Sequence, residues 1–342
     1  MSKQNINYFS RLKALACIAV VLLHTFYAAA AFAKNKDQQC AMLIVRDLMS
    51  WEVPCFVMVT GALLPDKQRE LGYKKLFGKL MLRMVIALAV FSLLFSCFDT
   101  LFISKDFSLS SIKDGLYNVL FGGGWKHMWY LYLMIALYLM MPAYRLVTKG
   151  AQNKDIIYLV SVYAAFLCIL PTVDILTEKK TAFYICVYSV YPLYLFLGYA
   201  MHNGIIMINA LAGLLLTLAG AGCIIGLNLY VSGRQTKLSS LLGTYSFIAV
   251  AAMSAGIFAL MQSCKDKKSG VLDTIAKAIE KCSFGIYLLH MAALKAIFVI
   301  FRFDPFKNGG FITVLGISAA VFIVTFIAVR LLRFIKGVNK II

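Results

Sequence analysis

The stretch LKALACIAVVLLHTFYAAAAFA, residues 12–33, decides the fold. From Ala14 to Ala33 it is apolar apart from His24 and Thr25, and about 20 such residues cross a hydrocarbon core of roughly 30 Å as one helix. The run is longer than the apolar core of a secretory leader, and Lys34, Asn35 and Lys36 follow it without a processing site. It is therefore expected to stay in the protein as the first transmembrane helix. Working outward, nine more runs of this kind fall near 41–64, 76–103, 128–147, 156–174, 182–201, 204–226, 244–262, 283–301 and 311–332. The expectation is an all-α, polytopic membrane protein of about ten transmembrane helices. The loops near 65–75, 104–127, 227–243 and 263–282 are too short for a separate domain, so residues 1–342 read as a single membrane domain.

Composition agrees. The 342 residues are 61% hydrophobic and 14% charged, with a mean hydropathy of +0.82, which excludes an ordinary soluble enzyme. The net charge of +19 reads as a topology signal rather than a nucleic-acid footprint, and no nucleic-acid partner is expected. Twenty-one lysines and arginines lie on segments that share a side with the N-terminus and eleven on the other side. That bias supports a multi-pass chain with both termini in the cytoplasm. The 9 cysteines lie mostly inside apolar runs and show no paired metal-ligand spacing, so they read as small hydrophobes, and no metal site is expected.

Ionisable residues at bilayer depth cost about 2.5 to 3.5 kcal/mol or more and so point to a partner or a function. Those expected at depth are His24, Arg46, Asp47, Glu52 and His290. At the helical rise, His24 lies about 13 Å below the outer end of helix 1, and Glu52 about 12 Å below the outer end of an antiparallel helix 2. A histidine facing a carboxylate has a fixed tautomer and a stabilised protonated form, which suits a general base. Asp47 is the competing carboxylate, with Arg46 beside it as a structural ion pair or a substrate contact. His24 and His290 are also compatible with core histidines bonded to backbone carbonyls. On the cytoplasmic side Lys67, Arg69, Lys74, Lys75, Lys79 and Arg83 crowd the entrance to helix 3, near Arg11 and Lys13. Such a cluster serves orientation and lipid headgroups, and it also suits a nucleotide diphosphate arriving from the cytoplasm. At the outer boundary, His127, Trp129 and Tyr130 read either as an interfacial aromatic belt or as the lining of a sugar or headgroup cleft. Gly122, Gly123 and Gly124 before them lack the context of a phosphate loop.

Four stretches resemble the acyltransferase 3 family of integral-membrane bacterial O-acyltransferases. They are Leu12 to His24, Val53 to Leu64, His127 to Tyr132 with Leu137 to Leu139 and Pro142, and Ser283 to His290. The resemblance implies an acyl-CoA donor, usually acetyl-CoA, on the cytoplasmic side. It implies a carbohydrate hydroxyl as acceptor at the outer face, with no bound cofactor. His24 falls on the family's catalytic histidine, with Glu52 or Asp47 to orient it. Lys13 stands where the family usually has arginine, and Arg11 is an alternative. Arg83 fits the family's helix 3 arginine, with Lys79 one turn away, and Thr60 replaces the commoner serine before Gly61. Together Arg11, Lys13, Lys79, Arg83 and Thr60 form the expected donor site. His127, Trp129, Tyr130, Tyr287 and His290 form the expected acceptor site. Thr60, Tyr130 or a backbone amide are candidates for the oxyanion donor that acyl transfer requires. The short chain looks most like the enzymes that acetylate surface polysaccharides or their lipid-linked precursors. The competing readings are a proton-coupled transporter or flippase built on His24, Glu52 and Asp47, and a sensor that has kept the fold without the chemistry. No internal repeat of the kind transporters carry is visible.

Overall fold

The computed structural model describes residues 7–342 apart from 64, 66–70, 105–112, 114–116, 118–123, 184, 235, 266–269 and 308. Lys67, Arg69, Gly122 and Gly123 lie outside the described residues. The described chain is all-α. In order the helices are α1 (Asn7–Ala30), α2 (Lys36–Leu48), α3 (Glu52–Leu63), α4 (Tyr73–Ile103), α5 (Lys126–Gly150) and α6 (Asn153–Thr177). There follow α7 (Tyr191–His202), α8 (Ala210–Val231), α9 (Ile248–Ser263), α10 (Gly270–Ile300) and α11 (Phe311–Leu332).

Seven of these, α1, α4, α5, α6, α8, α10 and α11, are long and apolar enough to cross a membrane, and α9 is a shorter apolar helix. All ten expected runs contain a helix, but three are not full spans. The run at 41–64 is broken between α2 and α3. Pro54 explains the break, because it has no N–H to donate to Ser50 and its ring clashes with that carbonyl, four residues back. The chain turns there through Ser50 N–H to Asp47 O (3.1 Å) and Glu52 N–H to Met49 O (3.2 Å). The run at 182–201 is helical only over α7, where Pro192 sits at the start. The run at 244–262 shortens to α9.

Two of the short helices, α3 and α7, are buried along most of their length. Along α7 every residue from Pro192 to Met201 except Leu197 is buried, as expected of a helix that is apolar all round. A 12-residue helix is only about 18 Å long, well short of the roughly 30 Å hydrocarbon core. Helices α3 and α7 touch backbone to backbone. A Cβ added to Gly61 would sit 1.9 Å from Leu195 O, and one added to Gly198 would sit 2.1 Å from Met58 O. By contrast α8 turns Leu211, Leu214, Leu215 and Leu218 outward, a lipid-facing surface.

Helix α1 lies at the centre, against α2, α3, α10 and α11. It runs parallel to α10 with matched contacts along its length. Arg11 Nε bonds Asp273 (2.6 Å), Lys13 Nζ bonds Glu280 (3.0 Å), Cys17 donates to Ser283 O (3.9 Å), and His24 meets His290 (3.3 Å). This register places the two membrane-depth histidines, read separately in the sequence, side by side.

Candidate active site

One face of α1 carries Lys13, Cys17, Val20, His24 and Tyr27, spaced by four, three, four and three residues, so they form a stripe about 21 Å long. Helix α10 presents Glu280, Phe284, Tyr287 and Met291 with the same periodicity, and α3 presents Glu52, Phe56 and Thr60. With α5 and residues Gly243 and Tyr245, these faces enclose a cavity of about 860 Å³. Lys13, Arg83, Glu280 and Lys281 line one end, near the start of α1. Tyr27, Arg46, Trp129 and Tyr245 line the other. His24 is about 16 Å along α1 from Lys13 and one turn short of Tyr27.

The bonding of His24 fixes its proton. Its Nδ1 is 2.9 Å from Val20 O, and Nδ1 of His290 is 3.1 Å from Ile286 O. A carbonyl only accepts, so both Nδ1 atoms carry hydrogen in the neutral rings, an assignment made from the bonding network. Nε2 of His290 is then a lone-pair acceptor 3.3 Å from Nδ1 of His24, with the rings edge to face at 4.9 Å. That leaves Nε2 of His24 as the basic nitrogen of a side chain lining the cavity. His290 is 0% exposed and does not line the cavity, so it stands behind His24 and outside the acceptor site where the sequence put it.

Neither expected carboxylate bonds His24 among the described residues. One straight helix over 41–64 would carry Glu52 to the depth of His24, but the break at Ser50 and Trp51 moves Glu52 to the first turn of a separate helix. Glu52 lines the cavity, with Oε1 accepting from the Tyr245 hydroxyl at 3.1 Å and Oε2 without a partner. Asp47 is 2% exposed and away from the cavity. It accepts from Arg46 Nε (2.7 Å) and Asn228 Nδ2 (3.0 Å), the structural ion pair that its neighbour suggested.

The expected donor residues divide. Lys13, Arg83 and Thr60 line the cavity, whereas Arg11 and Lys79 do not. Arg11 is bound to Asp273 and to Cys264 O (3.1 Å), and Lys79 is exposed. Glu280 holds both Lys13 and the Ser10 hydroxyl (2.5 Å). The Arg83 guanidinium lies 4.8 Å over Phe284 while its Nε donates to Ile341 O at 3.0 Å. The Thr60 hydroxyl donates to Phe56 O at 3.0 Å. Of the expected acceptor residues, His127, Trp129, Tyr130 and Tyr287 line the cavity. Tyr287 donates to His127 O at 2.6 Å, and both ring nitrogens of His127 are buried without a partner.

Several lining residues escaped the sequence reading. Glu280 and Phe284 share the stripe of Tyr287, and helical spacing outward from that residue finds them. Tyr245 had no local mark, since it lies in a run read as membrane-spanning. Asp99 and Lys295 also went unpaired in the sequence. They form an ion pair at 2.7 Å, with Trp125 Nε1 donating to the same carboxylate and the Lys295 ammonium 4.0 Å over the Trp125 ring. Among the described residues no cluster of three or more His, Cys, Asp or Glu is arranged to hold a metal ion.

A polytopic bundle that holds a histidine in the wall of an internal cavity, with cations at one end and aromatic rings at the other, has parts that an integral-membrane transferase could use. The family supplies the chemistry: the acyltransferase 3 model, described as an acyltransferase domain, matches residues 6–330, so the chain belongs to that family and is a multi-pass membrane acyltransferase. No curated protein and no solved structure matches the chain.

Proposed function

We propose that the chain moves an acetyl group from cytoplasmic acetyl-CoA to a hydroxyl of an envelope carbohydrate or its lipid-linked precursor, with His24 as general base and both termini in the cytoplasm. The observation that carries this reading is His24 Nε2, left basic by its own bonding, in the wall of a cavity between a cationic end and the nearer aromatic end. CoA phosphates meet Lys13, Arg83 and Lys281, through charge-assisted hydrogen bonds. The thioester extends toward His24, and the acceptor enters past Trp129 and Tyr130.

His24 Nε2 takes the hydroxyl proton as the oxygen attacks the thioester carbonyl. The C–S bond then breaks, and the imidazolium returns the proton to the departing CoA thiolate. His290 Nε2 accepts from Nδ1–H throughout, which holds the ring with Nε2 free to take the proton. The Thr60 hydroxyl is already committed to Phe56 O. Tyr130, on the cavity wall with no acceptor for its hydroxyl among the described residues, is the oxyanion donor in this scheme.

The test is mass spectrometry of envelope glycans and lipid-linked precursors from cells expressing wild type or His24→Ala at matched membrane levels. An acetyl increment present with wild type and absent with the variant is expected. Identical glycan profiles together with altered solute uptake or export would overturn the proposal.

A further inference from the structure

Among the described residues, three buried side-chain polar atoms lack a hydrogen-bond partner: Oε2 of Glu52 and the two ring nitrogens of His127. Both residues line the same cavity. An orphaned buried carboxylate oxygen is costly, and on a residue that lines a cavity a ligand donor can satisfy it. Glu52 is 1% exposed, and its other oxygen is fixed by Tyr245, whose carbonyl is in turn held by the Tyr194 hydroxyl at 2.6 Å. Around it three rings stand together. Trp129 lies 5.8 Å from Tyr191 and 5.7 Å from Tyr245, and Tyr191 lies 6.0 Å from Tyr245.

We propose that Glu52, Tyr245 and Trp129, with Tyr191 packed behind the two rings, form a saccharide subsite, in which Glu52 Oε2 accepts a hydrogen bond from a hydroxyl of a neutral pyranoside seated on the rings of Tyr245 and Trp129. Aromatic faces cover the apolar C–H face of a sugar while polar groups at their edges take its hydroxyls. Only one carboxylate oxygen is open, which fits a single O–H donor rather than a two-pronged guanidinium. An acidic sugar is disfavoured, because its carboxylate would meet that of Glu52 while the nearby Arg46 is already neutralised by Asp47. Glu52 is thus a binding residue for the sugar and does not orient His24. Calling this sugar the acetyl acceptor rests on the acyl-transfer reading, whereas the binding itself does not.

The test uses the full chain in lipid nanodiscs, titrated with hexyl β-D-glucoside, hexyl β-D-galactoside, hexyl N-acetyl-β-D-glucosaminide and the free-amine hexyl β-D-glucosaminide. Binding is read from tryptophan fluorescence, and acetyl-CoA affinity and CoA release are measured in parallel. Wild type is expected to bind at least one neutral glycoside saturably. Glu52→Gln weakens that binding about tenfold or more, the loss of a hydrogen bond to a charged group. Tyr245→Phe weakens it about threefold by freeing the carboxylate, and neither variant changes acetyl-CoA affinity. No saturable binding of any glycoside, a Glu52→Gln affinity within about twofold of wild type, or tighter binding of the amine than of every neutral sugar would each overturn the subsite. If Glu52→Gln fails to accumulate, Tyr245→Phe decides by the same readout: a loss supports the subsite and an unchanged affinity overturns it. Glu52-dependent binding with no CoA release leaves the subsite standing and removes the acyl-transfer reading. Glycoside-dependent CoA release that ignores Glu52 removes the subsite alone.

Discussion

The two ends of the cavity are built on opposite principles. At the end near the start of α1, Lys281 is exposed, while Lys13 and Arg83 are half-buried and already engaged: Lys13 with Glu280, Arg83 with Ile341 O and the Phe284 ring. At the other end the rings of Trp129, Tyr191 and Tyr245 contact one another, and a fully buried carboxylate keeps one oxygen without a partner. Partly exposed ion pairs are worth little, about 0 to 1 kcal/mol, so an incoming polyanion can displace Glu280 from Lys13 at small cost. The rings pack on one another beside the buried Glu52, and that packing leaves them less such freedom. The cationic end is therefore expected to adapt to its ligand and to respond to salt, and the aromatic end to keep its shape.

The sharpest way to break this comparison is to remove what divides the two ends. His24→Ala is expected to lower CoA release with an acceptor present by about 10² to 10⁴, the usual worth of a general base. Affinity at both ends should stay within about twofold, an effect under half a kcal/mol. Steady-state rates and separate titrations of acetyl-CoA and glycoside check this. A fall in either affinity would show that the histidine belongs to one end.

His290 comes next. It touches neither substrate end, so His290→Ala is expected to lower kcat about 10- to 100-fold with both KM values unchanged, since it loosens the base without removing it. His290→Gln offers an amide oxygen to Nδ1–H of His24 and should recover part of the rate. Equal losses for Ala and Gln would mean that shape alone matters behind His24.

At the cationic end, Lys13→Met keeps the stem and removes the charge. Its KM for acetyl-CoA should rise about tenfold, the loss of one charge-assisted contact, with glycoside affinity unaffected. Raising the ionic strength should weaken acetyl-CoA binding to wild type and leave glycoside binding unchanged, because only the cationic end is screened. Parallel salt titrations of the two ligands make the contrast measurable.

The same contrast explains what the sequence disclosed. Apolar runs obey one rule, length against bilayer thickness, so 311–332 coincides with α11 and 12–33 overlaps most of α1. The rule misreads inner helices, because protein rather than lipid surrounds them and a full span is not required. That is why 41–64 and 182–201 were overestimated, although Pro54 and Pro192 were visible. At the site, His24 and His290 stood out singly because each interrupts an apolar run. Their contact was invisible, since it depends on α1 and α10 lying parallel and in register across more than 260 residues. Cations at helix ends were equally plain as residues, yet which of them face inward is a question of helix phase that a count of charges does not address.

Lys79 makes that last point testable with the smallest expected effect. The sequence placed it with Arg83 as a donor contact one turn away, yet the two side chains point differently. Arg83 lines the cavity over Phe284, whereas Lys79 is exposed and is not part of the cavity wall. Residues four apart lie close to one face of a straight α-helix. Here, however, the backbone from Leu76 to Met81 is π-helical, which widens the turn and shifts the phase between the two positions. Lys79→Ala should therefore change the KM for acetyl-CoA by less than about twofold, against about tenfold for Lys13→Met, in the same CoA-release assay. A tenfold rise for Lys79→Ala would show that the cationic end gathers charges from beyond the cavity wall. The adaptable end would then be wider than the cavity, and the contrast between the two ends would be greater still.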